Sequence, residues 1–344
     1  MPATHELALE KSDSQDLDSH PVADKGEVAS AVPIIDVGNM RVDQPSDTIE
    51  KIARACSDWG FFQVINHGIG HELIDNVWRE TRLFFGQPIE DKQTVLRSRE
   101  NPWGFYNIEL TKNKRDKKEV FDFTTEGADP IYHSENRWPS AIGSFRATML
   151  DYLEACTVLS HRLLQAFCVG LDLPAEYLHE SFAPEHTGFV RLNYFPVKDP
   201  AGATDDVPDA GFGIHHHTDA GALTVLLQDD VGGLQVHRNG RWHDIPPVEG
   251  ALVINTGDMM QVWSNDAYRA PPHRVLAMEK CDRYSIPFFF NPAANARVSP
   301  LPTVVSESRP GAYRTIEWAE FRGKRTDGDY ADYGSEVQIS QYRL

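Results

Sequence analysis

The sequence predicts a mainly β fold with flanking helices, in which a sandwich, barrel or jelly roll follows an N-terminal α/β region. Two observations carry this. From about residue 187 onward, short strand-like runs recur at close spacing: GFVRLNYF, GIHHHTD, ALTVLLQ, GLQVH, RWHDI, ALVINT, MMQVW, HRVLA and RYSIPFFF. Turn residues separate them, which is the texture of an all-β layer structure. Before that point, strand-like runs alternate with segments of helical period.

In chain order, residues 1 to about 30 are polar and acidic and read as a mobile tail. VPIIDV, from Val32, reads as a strand. Asp47 to Trp59 reads as a helix, with Asp47 and Glu50 spaced as a capping box and Gly60 placed to end it. Ile49, Ile52, Ala53 and Cys56 give that helix its apolar face. FFQVI follows as a strand, then a helix from about Glu72 to Phe85. The stretch from about 100 to 140 is less regular and carries Trp103, Phe105, Tyr106, Phe121 and Phe123 among charges. A long amphipathic helix over about 141 to 169 places Met149, Tyr152, Leu153, Cys156, Leu159, Leu163 and Phe167 at core spacing. Within the β half, Asn239-Gly240 marks a tight hairpin, because both residues accept positive φ. The polar, Tyr-rich end from about Trp318 reads as a helix and tail covering the barrel.

At 344 residues the chain suffices for one large domain or two small ones. Its formal charge of −18 argues against nucleic-acid and anionic-membrane partners, which select for concentrated basic surface. The short run Lys112, Lys114, Arg115, Lys117, Lys118 reads as a solvated face. Cys56, Cys156, Cys168 and Cys281 are widely spaced, which fits a reducing compartment rather than a disulfide framework. No apolar run is long enough to span a bilayer and no secretory signal is visible, so a cytoplasmic protein is expected, as a monomer or weak homo-oligomer.

The chemistry centres on GIHHHTDAGALTVLLQD, residues 213 to 229. Residues two apart on a strand face the same way, so His217 and Asp219 present an imidazole and a carboxylate together. His273, in APPHRV, is the best third ligand. Two His and one carboxylate leave half of an octahedral ion open, which suits iron(II) oxygenases; the same donors could hold a catalytic zinc. A lone His-x-Asp is weak, since about one such triplet is expected by chance in a chain with this many His and acids. His215 and His216 are second-sphere or solvent-exposed candidates, His237 and His243 read as surface residues, and His67 and His71 as structural.

With these motifs in place, the sequence resembles the isopenicillin N synthase-like branch of the 2-oxoglutarate- and iron(II)-dependent dioxygenases. VPIIDV and ACSDWGFFQVINHGI resemble that family's N-terminal region, RLNYFP the strand that enters its barrel, and HTDAGALTVLLQD, GGLQV, VINTGDMMQVWSND, PHRV and RYSIPFFFNP the barrel core. The resemblance implies a distorted double-stranded β-helix, or jelly roll. It implies His217, Asp219 and His273 as iron ligands, with Arg283 and Ser285 as the clamp on the distal carboxylate of 2-oxoglutarate and Asn193 as a further co-substrate contact. Phe195 stands where many relatives carry a co-substrate-touching Tyr, so Tyr194 is not carried over. The implied cofactors are Fe(II), 2-oxoglutarate and O₂, with ascorbate as a reductant. The implied reaction is hydroxylation of a small organic metabolite, with desaturation or ring closure as variants, releasing succinate and CO₂. Candidate substrate contacts are Arg191, Phe105, Tyr106, Phe121, Phe289 and Asn291, with Phe123 beside them.

The expected segments are 1–30, an acidic tail; 31–140, an N-terminal dioxygenase region; 141–185, the long helix and linker; 186–300, the catalytic jelly roll; and 301–344, a C-terminal helix and tail. The alternatives are an iron oxidase of the same fold that works without 2-oxoglutarate, for which Gln338 and Gln341 resemble a metal-approaching tail, and a non-catalytic jelly-roll binding protein.

Overall fold

The computed structural model describes residues 17, 21–22, 32–44, 46–111, 114–199, 212–330 and 337–344, leaving aside the side chains of 327–330. The N-terminal half contributes β1 (Ile34–Asp36), α1 (Asp47–Asp58), β2 (Phe61–Ile65), α2 (His71–Phe85), α3 (Ile89–Gln93), β3 (Gly104–Tyr106), β4 (Leu110–Thr111), β5 (Lys114–Arg115), β6 (Glu119–Thr124) and α4 (Phe145–Gly170). The β half follows with β7 (Phe189–Phe195), β8 (Phe212–His217), β9 (Leu223–Gln228), β10 (Leu234–Arg238), β11 (Arg241–Asp244), β12 (Leu252–Thr256), α5 (Asp258–Trp263), β13 (His273–Leu276) and β14 (Arg283–Phe290). A short pair, β15 (Arg297–Val298) and β16 (Ile316–Glu317), precedes α6 (Trp318–Tyr330).

Eight strands form one sheet in the order β1-β2-β12-β9-β14-β7-β6-β3, and four form a second in the order β11-β10-β13-β8. All pairings in the two sheets are antiparallel except β1 with β2. Alternation gives the large sheet two apolar faces. Ile254, Val225, Ile286, Phe288 and Val190 pack against the helices in the main core, while Leu226, Val253 and Phe195 turn inward and pack with Leu234, Val236 and Val275 of the small sheet. The jelly-roll expectation is met. Within the 31–140 stretch, β1, β2, β3 and β6 all join the large sheet.

Helix α4 forms as its period requires. Met149, Tyr152, Cys156, Leu163 and Phe167 are wholly buried behind the sheet. Burying each large apolar side chain contributes roughly 1.5–3 kcal/mol. Helix α1 starts one residue earlier than its capping pattern suggested: Ser46, not Asp47, is the cap, its Oγ accepting from the Ile49 amide at 3.4 Å. Asn239 and Gly240 take φ of 50° and 74°, turning β10 into β11 as expected. Cys56, Cys156 and Cys168 are buried and unpaired, and Cys281 is exposed.

The basic run is not a solvated face. Lys118 is buried between Glu109 (2.7 Å) and Asp116 (3.2 Å), and Arg115 pairs with Asp199; Lys112 lies outside the described residues. Most of the 1–30 segment also lies outside them. Leu17 and Pro21 nevertheless offer carbonyl oxygens to the Trp242 indole and backbone N–H groups, so part of this segment rests on β11. Among the described residues, no helix is long and apolar enough to cross a membrane.

Candidate active site

Between the two sheets lies a cavity of about 130 Å³. Its walls include His217, Asp219, His273, Asn193, Arg283, Ser285, Phe289 and Asn291. That volume is on the scale of the ~150 Å³ cavity that holds a benzene ring, so the site takes small molecules.

His217 ends β8 and pairs in register with His273, which opens β13. Their ring centroids are 4.3 Å apart. Asp219 sits just past the end of β8 rather than on it, and still points at both imidazoles: its Oδ1 is 3.7 Å from His217 Nε2 and 3.5 Å from His273 Nε2. One ligand atom from each residue falls within 4.8 Å of the others. The backbone fixes the ligand loop. Asp258 N–H donates to the Asp219 carbonyl at 2.7 Å, and Met259 N–H to that of Gly221 at 3.0 Å. Gly257 permits this approach, since a Cβ there would lie 2.3 Å from the Gly221 oxygen.

The surrounding hydrogen bonds prepare the donors. His217 Nδ1 donates to the His215 carbonyl at 2.9 Å and His273 Nδ1 to the Pro271 carbonyl at 3.3 Å. A carbonyl only accepts, so each Nδ1 carries its proton and each Nε2 keeps its lone pair for a metal. Asp219 Oδ2 accepts from Thr224 Oγ1 at 2.5 Å and Asn255 Nδ2 at 2.8 Å, leaving Oδ1 turned toward the two imidazoles. Burial, with His273 beside it, pushes His217 down to about 3, keeping it neutral. Burial alone would raise the Asp219 carboxyl, but His273, His217 and Asn255 outweigh it and hold the group well below the usual carboxylate range. Two imidazoles with one carboxylate suit a divalent first-row metal.

The other end of the cavity holds an unbalanced charge. Arg283 and Ser285 face inward from β14, as their spacing predicts. Arg283 is fully buried; its Nη2 reaches Gln228 Oε1 at 3.4 Å, while Nε and Nη1 have no hydrogen-bond partner. Phe195 lies under the guanidinium, 5.0 Å away. Burial pushes Arg283 down to about 10, with Asp229 opposing, so it stays cationic at neutral pH. Asn193 faces the same space, with Nδ2 3.4 Å from Ser285 Oγ and Oδ1 unpartnered. A buried guanidinium with free N–H groups beside a hydroxyl fits the distal carboxylate of 2-oxoglutarate. Tyr194 points the other way, bonded to Asp282 and stacked on Tyr284 at 4.9 Å.

The expected substrate contacts divide. Arg191, Phe289 and Asn291 line the cavity. Phe105, Tyr106, Phe121 and Phe123 do not: the three phenylalanines are wholly buried in the helix-side core around Phe84 and Phe145, and Tyr106 lies under Arg97. They belong to β3 and β6, whose strand alternation the irregular middle stretch concealed. Arg191 is bound by Asp122 and Glu109 at 2.7–2.8 Å. His215 is buried on Asp116 at 3.0 Å. His67 is buried and accepts from the Ile69 amide, His71 is exposed, and His237 and His243 are half-buried against Trp242 and Trp59. Neither Gln338 nor Gln341 lines the cavity. The sequence reading missed Thr224 and Asn255, which hold Asp219, and two cavity-lining arginines of α6, Arg322 and Arg325. Asn255 had a signal in the quoted VINTGD motif; α6 had none beyond its arginines three apart.

Residues 186–292 match the 2OG-Fe(II) oxygenase superfamily, and residues 32–141 match the non-haem dioxygenase in morphine synthesis N-terminal family. Jasmonate-induced oxygenase 2 of Arabidopsis thaliana is 33% identical over 91% of this chain and 84% of its own length. Feruloyl CoA ortho-hydroxylase 1 of the same plant is 33% identical over 86% of this chain and 79% of its own. The crystal structure of JOX2 in complex with 2OG, Fe and JA superposes with a TM-score of 0.79 at 28% identity, covering 94% of this chain and 90% of that one. The chain therefore belongs to the 2-oxoglutarate- and iron(II)-dependent oxygenase superfamily and is an oxygenase of small molecules.

Proposed function

We propose that His217, Asp219 and His273 hold iron(II), that Arg283, Ser285 and Asn193 hold 2-oxoglutarate, and that the chain hydroxylates a small organic metabolite, with desaturation or ring closure as variants of the same chemistry. The supporting observation is a pair of incomplete sites in one cavity: three ligand atoms within 4.8 Å of one another, and a buried guanidinium with free N–H groups. When bound there, iron(II) and 2-oxoglutarate supply O₂ activation coupled to oxidative decarboxylation, with succinate and CO₂ as co-products.

The chain's own residues contribute orientation and exclusion of water. Thr224 and Asn255 fix which Asp219 oxygen faces the ion. The His215 and Pro271 carbonyls fix both imidazole tautomers. Arg283 sets the orientation of the co-substrate, and Phe189 and Phe289, stacked at 4.7 Å, wall the space left for substrate. No protein acid or base is required. Placement in the isopenicillin N synthase-like branch, a cytoplasmic location and a monomeric or weakly homo-oligomeric state complete the reading.

Anaerobic titration with iron(II) and 2-oxoglutarate should produce a visible charge-transfer band, and turnover of substrate should yield succinate in equal amount. A band that forms equally well with Asp219→Ala would overturn the ligand assignment. Substrate oxidation without succinate would instead indicate an oxidase that works without 2-oxoglutarate.

A further inference from the structure

We infer that the cavity is built for a substrate bearing a single carboxylate, which the guanidinium of Arg322 receives; this rests on the oxygenase reading above. The charges around the cavity lead there. Arg97, Lys118 and Arg191 meet Glu109, Asp116 and Asp122 in ion pairs of 2.7–3.2 Å, three against three. Arg325 lies 3.8 Å from Asp258 and donates to the carbonyl oxygens of Val337 and Thr218, both at 2.7 Å. Among the described cations lining the cavity, the side chain of Arg322 alone makes no hydrogen bond or ion pair with a described residue.

Arg322 is only 9% exposed. Its guanidinium lies 4.9 Å from the Phe189 ring and forms no hydrogen bond or ion pair with any described residue. Its charge reaches Asp129, but Asp129 Oδ1 is committed to the amides of Ile131 and Tyr132 at 2.7–2.8 Å. Asp129 is an electrostatic neighbour, but none of the guanidinium N–H groups is taken by a described residue, which leaves the fork open to an external carboxylate.

The position also suits a substrate. Phe189 pairs in register with Phe289, and Phe289 with Thr224, whose hydroxyl holds Asp219. Arg322 therefore stands near the metal end, while Arg283 lies six residues away along β14, about 20 Å of strand. The two guanidiniums serve different carboxylates. A planar fork matches a carboxylate with two parallel hydrogen bonds. Beside it, Phe189 and Phe289 provide an apolar wall for the rest of the molecule.

The test uses the full chain loaded anaerobically with iron(II) and saturating 2-oxoglutarate, so that Arg283 is occupied. Phenylacetate, cyclohexaneacetate and hexanoate are titrated against their primary amides, reading the charge-transfer band and heat of binding. At least one acid should bind tenfold or more tighter than its amide. Arg322→Gln should reduce that preference below threefold by weakening the acid, with little change for the amide; Arg322→Lys, which keeps the charge and loses the fork, should fall between. Acid and amide binding alike in wild type, or an acid preference that survives Arg322→Gln, would overturn the inference while the 2-oxoglutarate band leaves the oxygenase reading standing. Failure of wild type to form that band would overturn both.

Discussion

Replacing Arg283 with Met separates a ligand-binding charge from a structural one, because the two roles predict opposite stability effects. In the chain without co-substrate, Arg283 is fully buried with Nε and Nη1 unpartnered and one long contact to Gln228. Each unsatisfied buried donor costs about 1–3 kcal/mol, so the substitution removes a penalty, and Met keeps an apolar chain over Phe195. The ligand-free variant should unfold at the same denaturant concentration as wild type or a higher one. Co-substrate binding should move the other way. Truncating one partner of a buried charge pair costs about 2–5 kcal/mol, which weakens 2-oxoglutarate by about 30- to 4000-fold. At a co-substrate concentration of about 100 times the wild-type Kd, wild type gains about 2.7 kcal/mol and the variant at most about 0.9 kcal/mol. Paired urea titrations with and without 2-oxoglutarate, on metal-loaded protein, measure both quantities. A variant several kcal/mol less stable without ligand, or one binding 2-oxoglutarate as wild type does, would refute the reasoning.

Other positions give independent checks. Asn255→Ala strips one of the two donors from Asp219 Oδ2 and should weaken iron(II) about 10- to 100-fold by equilibrium dialysis, leaving Arg283 in place. Glu109→Ala leaves Arg97, Lys118 and Arg191 short of a shared carboxylate and should cost about 3–5 kcal/mol in urea unfolding. His186 is held down to about 4 by burial and by nearby His161, while its Nδ1 accepts from the Gly188 amide. Its folded value lies below the unfolded one of about 6.5, so the unfolded chain takes up the proton first and stability falls as pH drops from 6.5 to 4. That contribution is at most about 1.4 kcal/mol per pH unit, and a His186→Leu chain whose pH slope in this window is no flatter than wild type would contradict it.

Much of the architecture could be read from periodicity. The strands from Phe189 to Phe290 and helix α4 were legible because each buries an apolar row in one of the two cores, although MMQVW, expected as a strand, forms helix α5. Strands β3 and β6 escaped. In EVFDFT every residue is buried, including Glu119 and Asp122, which pair with Lys92 and with Arg97 and Arg191. A pattern rule treats such charges as solvent-facing, and only tertiary pairing brings them inside. The basic run failed as a solvated face for the same reason, since Lys118 finds two buried carboxylates.

The candidate site shows the same division from the other side. His217 and Asp219 were singled out by their two-residue spacing and Arg283 by the family resemblance of RYS, while Arg322 sits on a helix where an arginine is ordinarily solvated. EVFDFT and RYSIPFFF both put charges into buried strands, yet the charges behave differently. Glu119 and Asp122 are matched by the fold and hold it together; Arg283 is left with free donors in the space where a ligand fits. Local sequence specifies that a charge goes inside. Whether the fold also supplies its partner depends on residues tens of positions away: Lys92 is 27 positions from Glu119, and Arg191 is 69 from Asp122. Matched charges rigidify the walls and unmatched donors stay open to a ligand, so the distinction is set by long-range pairing and not by the composition of either strand.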